Sequence, residues 1–331
     1  MARSWRHLAA AVLVGMGIGA APPPAAAQGL AVTAGDRSHE AIRPLRLPDG
    51  LDPKKIELGR RLFHDPMLSA DGQVSCATCH PLEKGGVDRL PVSVGVNGQR
   101  GTANAPTVFN SGFNSTQFWD GRAATLEEQA GGPLTHPSEM ATDWGTILAR
   151  LAASPYAAEF RRMYGSAPTE AAVRDAIATY ERALVTVDSP FDRWLAGDDQ
   201  ALNAEQKRGY ALFKSYGCAS CHQGANVGGN MFARFGYYGN WFDDRGHSTK
   251  AELGRFNVTG RTADRYVFKV PSLRLVTLTP PYFHDGSVAD LKEAIRLMAR
   301  YQLGRDIVDG DIDPMVAFLG SLVDPARLPS P

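Results

Sequence analysis

The chain has 331 residues, 35 Lys and Arg against 35 Asp and Glu, and 44% hydrophobic residues. The balanced charge and the lack of a long basic run argue against a nucleic-acid partner, while the length suffices for two domains with real cores. Abundant Gly (34) and Pro (22) predict many loops.

At the N-terminus, Arg3, Arg6 and His7 precede an apolar stretch, Leu8 to Ala20, that is too short and too rich in small residues for a membrane span. Pro22-Pro23-Pro24 leads into Ala25-Ala26-Ala27, an A-x-A cleavage site before Gln28. Residues 1–27 therefore read as a signal peptide, with a retained anchor as the alternative. The expectation is export to the periplasm without stable membrane insertion. Ser189-Pro190 and Gly197-Asp198-Asp199 mark a boundary between a first domain, 28–197, and a second, 198–331.

Each domain holds one Cys-x-x-Cys-His run: Cys76, Cys79 and His80 in the first, Cys218, Cys221 and His222 in the second. Together they use all four cysteines. Such a run is the attachment site of haem c: two thioethers hold the porphyrin, and the adjacent imidazole reaches the iron. Zinc would require further ligands at zinc-finger spacing, and a thioredoxin-like motif would come once, near a βαβ pattern. The expected cofactors are two haem c groups.

The halves also repeat outside these runs. Leu58-Gly59-Arg60-Arg61-Leu62-Phe63 precedes the first run, and Arg208-Gly209-Tyr210-Ala211-Leu212-Phe213 precedes the second, each as a predicted helix. Asn203 and Gln206 form a capping box for the latter. Pro106 stands thirteen residues before Trp119, as Pro271 does before His284. Phe118-Trp119-Asp120-Gly121 parallels Phe283-His284-Asp285-Gly286, and helices are predicted to start behind Thr125 and Asp290. Further helical patterns run over 143–152, 169–184 and 312–322. The predicted fold class is mainly α, with two tandem cytochrome c-like domains, each with one covalent haem c, and long loops.

The two irons differ in what faces them. Two turns into the helix begun at Asp290 comes Met298, a candidate second axial ligand, with Met231 and Met315 as rivals and core packing as the competing role. The equivalent position in the first half is Pro133, where Gly131-Gly132-Pro133 is expected to end the helix. Proline cannot ligate iron, so the first iron is open or takes a ligand from elsewhere. His64 and His136 are weak candidates, and His247 sits in a charged, solvated loop.

Taken in order, several motifs resemble those of bacterial di-haem cytochrome c peroxidases and their relative MauG. They are the two Cys-x-x-Cys-His runs, Gly85-Gly86-Val87-Asp88, Asn104-Ala105-Pro106-Thr107, Phe118 to Arg122, Glu139-Met140, Pro281 to Gly286, and Met298. The resemblance covers nearly all of the chain after residue 27. It implies a peroxidatic first haem on His80 and an electron-entry second haem on His222 and Met298. It further implies distal roles for Gln129 and Glu139, Trp119 between the haems, and a calcium ion at Asn104 with the carbonyls of Thr279 and Pro281. Hydrogen peroxide as substrate, a small cytochrome c or cupredoxin as donor, and a homodimer are likewise implied.

One departure stands out. The family loop Ser-Ile-Gly-His-Gly-Trp-Gln, whose histidine blocks the resting iron, reads Ser93-Val94-Gly95-Val96-Asn97-Gly98-Gln99 here. Valine has no lone pair to donate. Reductive activation is therefore not expected. This point favours MauG-like oxidation of a partner protein as an alternative, whereas Met298 in place of MauG's tyrosine favours the peroxidase. A plain di-haem electron carrier is the third reading. Peroxide cleavage needs a proton moved between its oxygens; Glu139 can move it, and Gln129 can only orient the peroxide, because an amide does not titrate.

Overall fold

The computed structural model describes residues 36–328; the expected signal peptide lies outside them. Among the described residues the fold is mainly α. Helices α1 (Pro53–His64), α2 (Cys76–Cys79), α3 (Leu126–Thr135), α4 (Trp144–Ala152), α5 (Tyr156–Tyr164) and α6 (Glu170–Ala183) come first. They are followed by α7 (Pro190–Leu195), α8 (Ala204–Tyr216), α9 (Trp241–Asp244), α10 (Phe256–Thr259), α11 (Leu291–Leu303) and α12 (Asp309–Gly320). One short antiparallel pair, β1 (Phe232–Arg234) and β2 (Val267–Lys269), has Phe232 opposite Lys269. No described helix is long and apolar enough to cross a membrane.

The helix starts follow local chemistry. Asp52, Thr169 and Asp290 accept main-chain N–H groups of the first turns of α1, α6 and α11, groups that have no partner within the helix. Asn203 and Gln206 form the expected reciprocal box at α8. Helix α3 corrects an expectation. It begins behind Thr125 but continues through Gly131-Gly132-Pro133 to Thr135. A proline in the last turn removes only its own N–H, and the His136 N–H still reaches the Gly132 carbonyl at 3.0 Å.

The repeat seen in the sequence is also present in the backbone. Gln117 pairs with Ala123 as Tyr282 pairs with Val288, and Phe118 and Phe283 share a positive φ of 66° and 71°. The short 3-10 turns Ser111–Phe113 and Val276–Leu278 keep the same offset, as do the starts of α3 and α11. Helix crossings repeat as well. A Cβ at Gly59 of α1 would overlap the Ala176 carbonyl of α6, and one at Gly209 of α8 would overlap the Pro314 carbonyl of α12. Glycine at both positions lets two backbones touch, which no other residue permits.

Apolar burial follows these crossings. One cluster joins Leu58, Leu62, Phe63, Val173 and Ile177 to Val96 and Leu134. A second joins Phe191, Tyr210, Phe213, Phe318 and Leu322, and a third surrounds Trp241, Phe242 and Phe268. Ile42, ahead of α1, belongs to the second cluster, and its neighbour Glu40 binds Tyr210 and Lys214 of α8. The segment preceding the first repeat thus packs on the second.

The buried polar centre of the fold is Arg274, 1% exposed, paired with Asp192 of α7, 4% exposed. Its guanidinium donates to both Asp192 oxygens (2.8 and 3.1 Å) and to the carbonyls of Ala225, Leu322 and Arg43. All five of its N–H groups are used. Asp192 in turn accepts from the Leu45 and Ser189 main-chain N–H groups. Removing one partner of such a pair strands the other charge, so Asp192→Ala is expected to cost about 3–5 kcal/mol. The check is the urea midpoint of the haem-loaded protein, and an unchanged midpoint would refute this role.

Candidate functional site

Both Cys-x-x-Cys-His runs lie on short turns that follow a long helix. In the first, α2 carries Cys76 and Cys79, its N-cap Ser75 is boxed with Thr78, and His80 caps its end. The His80 ring is half-buried, and its Nδ1 lies 3.0 Å from the Gly86 carbonyl. Nδ1 therefore holds the proton and donates it, which leaves the Nε2 lone pair for a metal. Burial lowers the imidazole pKa, and the Gly86 carbonyl opposes that shift only in part.

In the second run, Cys218 to Ser220 forms a 3-10 turn behind α8. Burial pushes the His222 imidazole down to about 4. Its Nδ1 is buried and has no partner in hydrogen-bond geometry, although the Val227 and Pro271 main chain lies close by. Both ring environments favour the neutral, ligating form.

The thiols show what these runs can hold. All four cysteines are free. Burial raises the Cys76 thiol, with Glu181 adding to the shift, and pushes those of Cys79 and Cys218 up to about 11. A zinc thiolate site needs the opposite shift and converging ligands. Among the described residues only Glu252, His284 and Asp285 bring three such ligand atoms within 4.8 Å of one another. Arg245 already bonds both of those carboxylates. In neither run do the two thiols and the imidazole all come within 4.8 Å of one another, as a zinc site would require. The residues fit haem c.

Cys218, Cys221, His222 and Met298 line one cavity of about 250 Å³. Helix α11 presents Leu291, Ile295, Met298 and Gln302 to it, a single face at three-to-four spacing. Met315 of α12 shares the lining, whereas Met231 does not. Trp119, Asn104, Thr279 and Pro281 lie along the same cavity. The Trp119 indole N–H donates to the Asn104 carbonyl at 2.8 Å, and its ring meets that of His284 edge-on at 6.4 Å. The Asn104 amide is turned toward the Leu90 and Pro91 carbonyls. A calcium ion there would meet neutral oxygens only, a weak set for that ion.

Around the first run, Val96 is 1% exposed and packed into the apolar core. Its main-chain N–H donates to the Glu139 carbonyl at 2.9 Å, so the loop that departs from the family pattern lies directly on the proposed proton carrier. Burial raises the Glu139 carboxyl above the ordinary glutamate range, with His136 and Arg122 opposing. Its charge is felt by both Cys76 and Cys79, which places it at this site. Gln129 is half-buried on α3. His64 is exposed, and its Nδ1 bonds the Arg60 carbonyl of its own helix. His136 bonds Ser138 and lies 3.6 Å from Glu139, and His247 is exposed as expected.

A second carboxyl was missed from the sequence. Glu181 of α6 is 5% exposed, and burial pushes it up to about 8. It stands four residues after buried Ile177, so helical periodicity places it on the buried face.

Comparison with known proteins agrees with this geometry. Residues 53–200 match the family model described as di-haem cytochrome c peroxidase. Cytochrome c peroxidase Ccp of Escherichia coli (strain K12) is 48% identical over 292 residues, 88% of this chain and 62% of that protein, so the chain spans less than two thirds of that relative. Cytochrome c551 peroxidase of Nitrosomonas europaea is 44% identical over 86% of this chain and 84% of its own. The crystal structure of a MauG-like protein associated with microbial copper homeostasis superposes with a TM-score of 0.74 at 30% identity, covering 86% of this chain and 94% of that one. The chain belongs to the di-haem cytochrome c peroxidase family.

Proposed function

We propose that the chain is a periplasmic peroxidase of two tandem cytochrome c-like domains, 28–197 and 198–331, each with one haem c. It reduces hydrogen peroxide to water. Each turnover takes two electrons and two protons, the electrons from a small reduced cytochrome c or cupredoxin. Haem iron supplies peroxide binding and electron storage. His80 and His222 would hold the irons, and Met298 would add a ligand at the electron-entry haem.

The observation that carries this reading is the placement of Glu139: its main-chain carbonyl accepts from Val96 at 2.9 Å, and its half-buried carboxyl is raised by desolvation. A carboxyl poised above its ordinary range accepts a proton from one peroxide oxygen and returns it to the leaving oxygen. Gln129 orients the peroxide. Trp119, whose indole N–H is held by Asn104, passes electrons between the two haems. The protein acts as a homodimer, and any calcium ion carried at Asn104, Thr279 and Pro281 would be held weakly, by neutral oxygens alone. A second reading, peroxide-driven oxidation of a partner protein's side chain, is favoured by one observation: valine sits where a blocking histidine is expected, packed in the core.

The proton role fixes the sign of the pH dependence. The ionised form of Glu139 is lost as pH falls through its raised pKa, so turnover falls on the acid side above the usual glutamate range. Glu139→Gln is expected to lower kcat by about a hundredfold or more and to erase that acid limb. Steady-state kinetics against pH with a reduced cytochrome donor measures both. Retention of the limb in the variant would remove Glu139 from the mechanism.

Val96 gives a spectroscopic expectation. The oxidised protein should show a high-spin ferric signal by electron paramagnetic resonance before any reduction. Val96→His should convert that signal to low spin and impose a lag that prior reduction abolishes. A purely low-spin spectrum of the unaltered protein contradicts the open first site.

A further inference from the structure

Lys269 of β2 lines the cavity shared by Cys218, Cys221, His222 and Met298, and it is only 6% exposed. Its main-chain N–H donates to the Trp119 carbonyl at 2.8 Å, which fixes the residue beside that indole. Its Nζ has neither a hydrogen-bond nor an ion-pair partner among the described residues. Arg274 on the same cavity wall is fully engaged by Asp192. Burial pushes the ammonium of Lys269 down to about 8, and no neighbouring anion opposes that shift.

An unpaired ammonium out of water costs several kcal/mol, so native structures pair such groups. The cavity therefore presents a fixed cation without its anion. A porphyrin joined through its former vinyl groups to Cys218 and Cys221 carries its two propionates on the opposite edge. It thereby brings carboxylates into the same cavity.

We propose that Lys269 is the counter-ion of a propionate of the haem attached at Cys218 and Cys221. This rests on the reading of that run as a haem c site. The pairing has an electrical consequence. Without the ammonium, a carboxylate buried near the iron favours the ferric state, which carries the greater positive charge. Lys269 thus holds up the reduction potential of the electron-entry haem while its main chain anchors Trp119.

The test uses the haem-loaded full chain with Lys269→Gln and Lys269→Arg. Haem stoichiometry on the denatured protein tests the underlying reading, since covalent haem stays attached; absence of haem at Cys218 in the unaltered protein rejects that reading rather than the pairing alone. Spectroscopic redox titration then tests the pairing. Lys269→Gln is expected to shift the equilibrium of the second haem about tenfold toward ferric, about 59 mV for one electron, and Lys269→Arg to restore it within about twofold. Selective loss of that haem in Lys269→Gln with retention in Lys269→Arg also supports the pairing. An unshifted equilibrium in a fully loaded Lys269→Gln overturns it, as does equal haem loss in both variants. A potential in the unaltered protein that follows added chloride assigns the site to a free anion and overturns the proposal too.

Discussion

Two main-chain hydrogen bonds, exchanged between equivalent positions of the two repeats, underlie the rest of the arrangement. The Asn104 N–H donates to the His284 carbonyl at 2.9 Å, and the Lys269 N–H donates to the Trp119 carbonyl at 2.8 Å. Asn104 and Lys269 are equivalents, as are Trp119 and His284. Each repeat therefore gives to the other the bond it receives, and the two special rings are brought edge-to-face between them. Because the bonds are made by main-chain atoms, they do not restrict the side chains. The same frame can hold an asparagine in one half and a lysine in the other, or an indole against an imidazole.

That freedom allows one scaffold to serve two tasks. The helix behind Asp290 turns Met298 into a cavity, whereas its counterpart behind Thr125 carries Pro133 at that step. Around the first run the polar groups are carboxyls, Glu139 and Glu181, both raised by burial. Around the second they are the cations and neutral donors of the Trp119 and Lys269 wall. The first surrounding thus offers groups able to exchange protons, and the second offers groups that fix charge.

Much of this was legible in the sequence because it is encoded locally. Cap residues at Thr125, Asn203 and Asp290 act within three residues of themselves, and the helices start where they predict. The haem runs and the repeat offset are also local patterns. Pro133 misled because a proline in the last turn costs a helix little, and a sequence does not say how near the end it falls. Glu181 falls within the predicted helical stretch 169–184, where only the spacing of apolar residues was used and its own place on the buried face was not. Arg274 and Asp192 were out of reach for another reason. Their partners come from stretches far apart in the chain, and nothing beside either residue marks it as paired. Lys269 is a similar case: nothing beside it in the sequence marks it as buried on a cavity wall.

The Arg274 pair has a further meaning for how the chain reaches this state. Its guanidinium is satisfied only when Arg43, Asp192, Ala225 and Leu322 have all arrived. Those positions include stretches that leave the ribosome early, midway and late. No half of the molecule can complete that shell by itself, so the buried charge ties the leading segment and both repeats together. A first repeat by itself holds Asp192 without its cation. Loss of the last segment strands a donor of Arg274 just as loss of the first does.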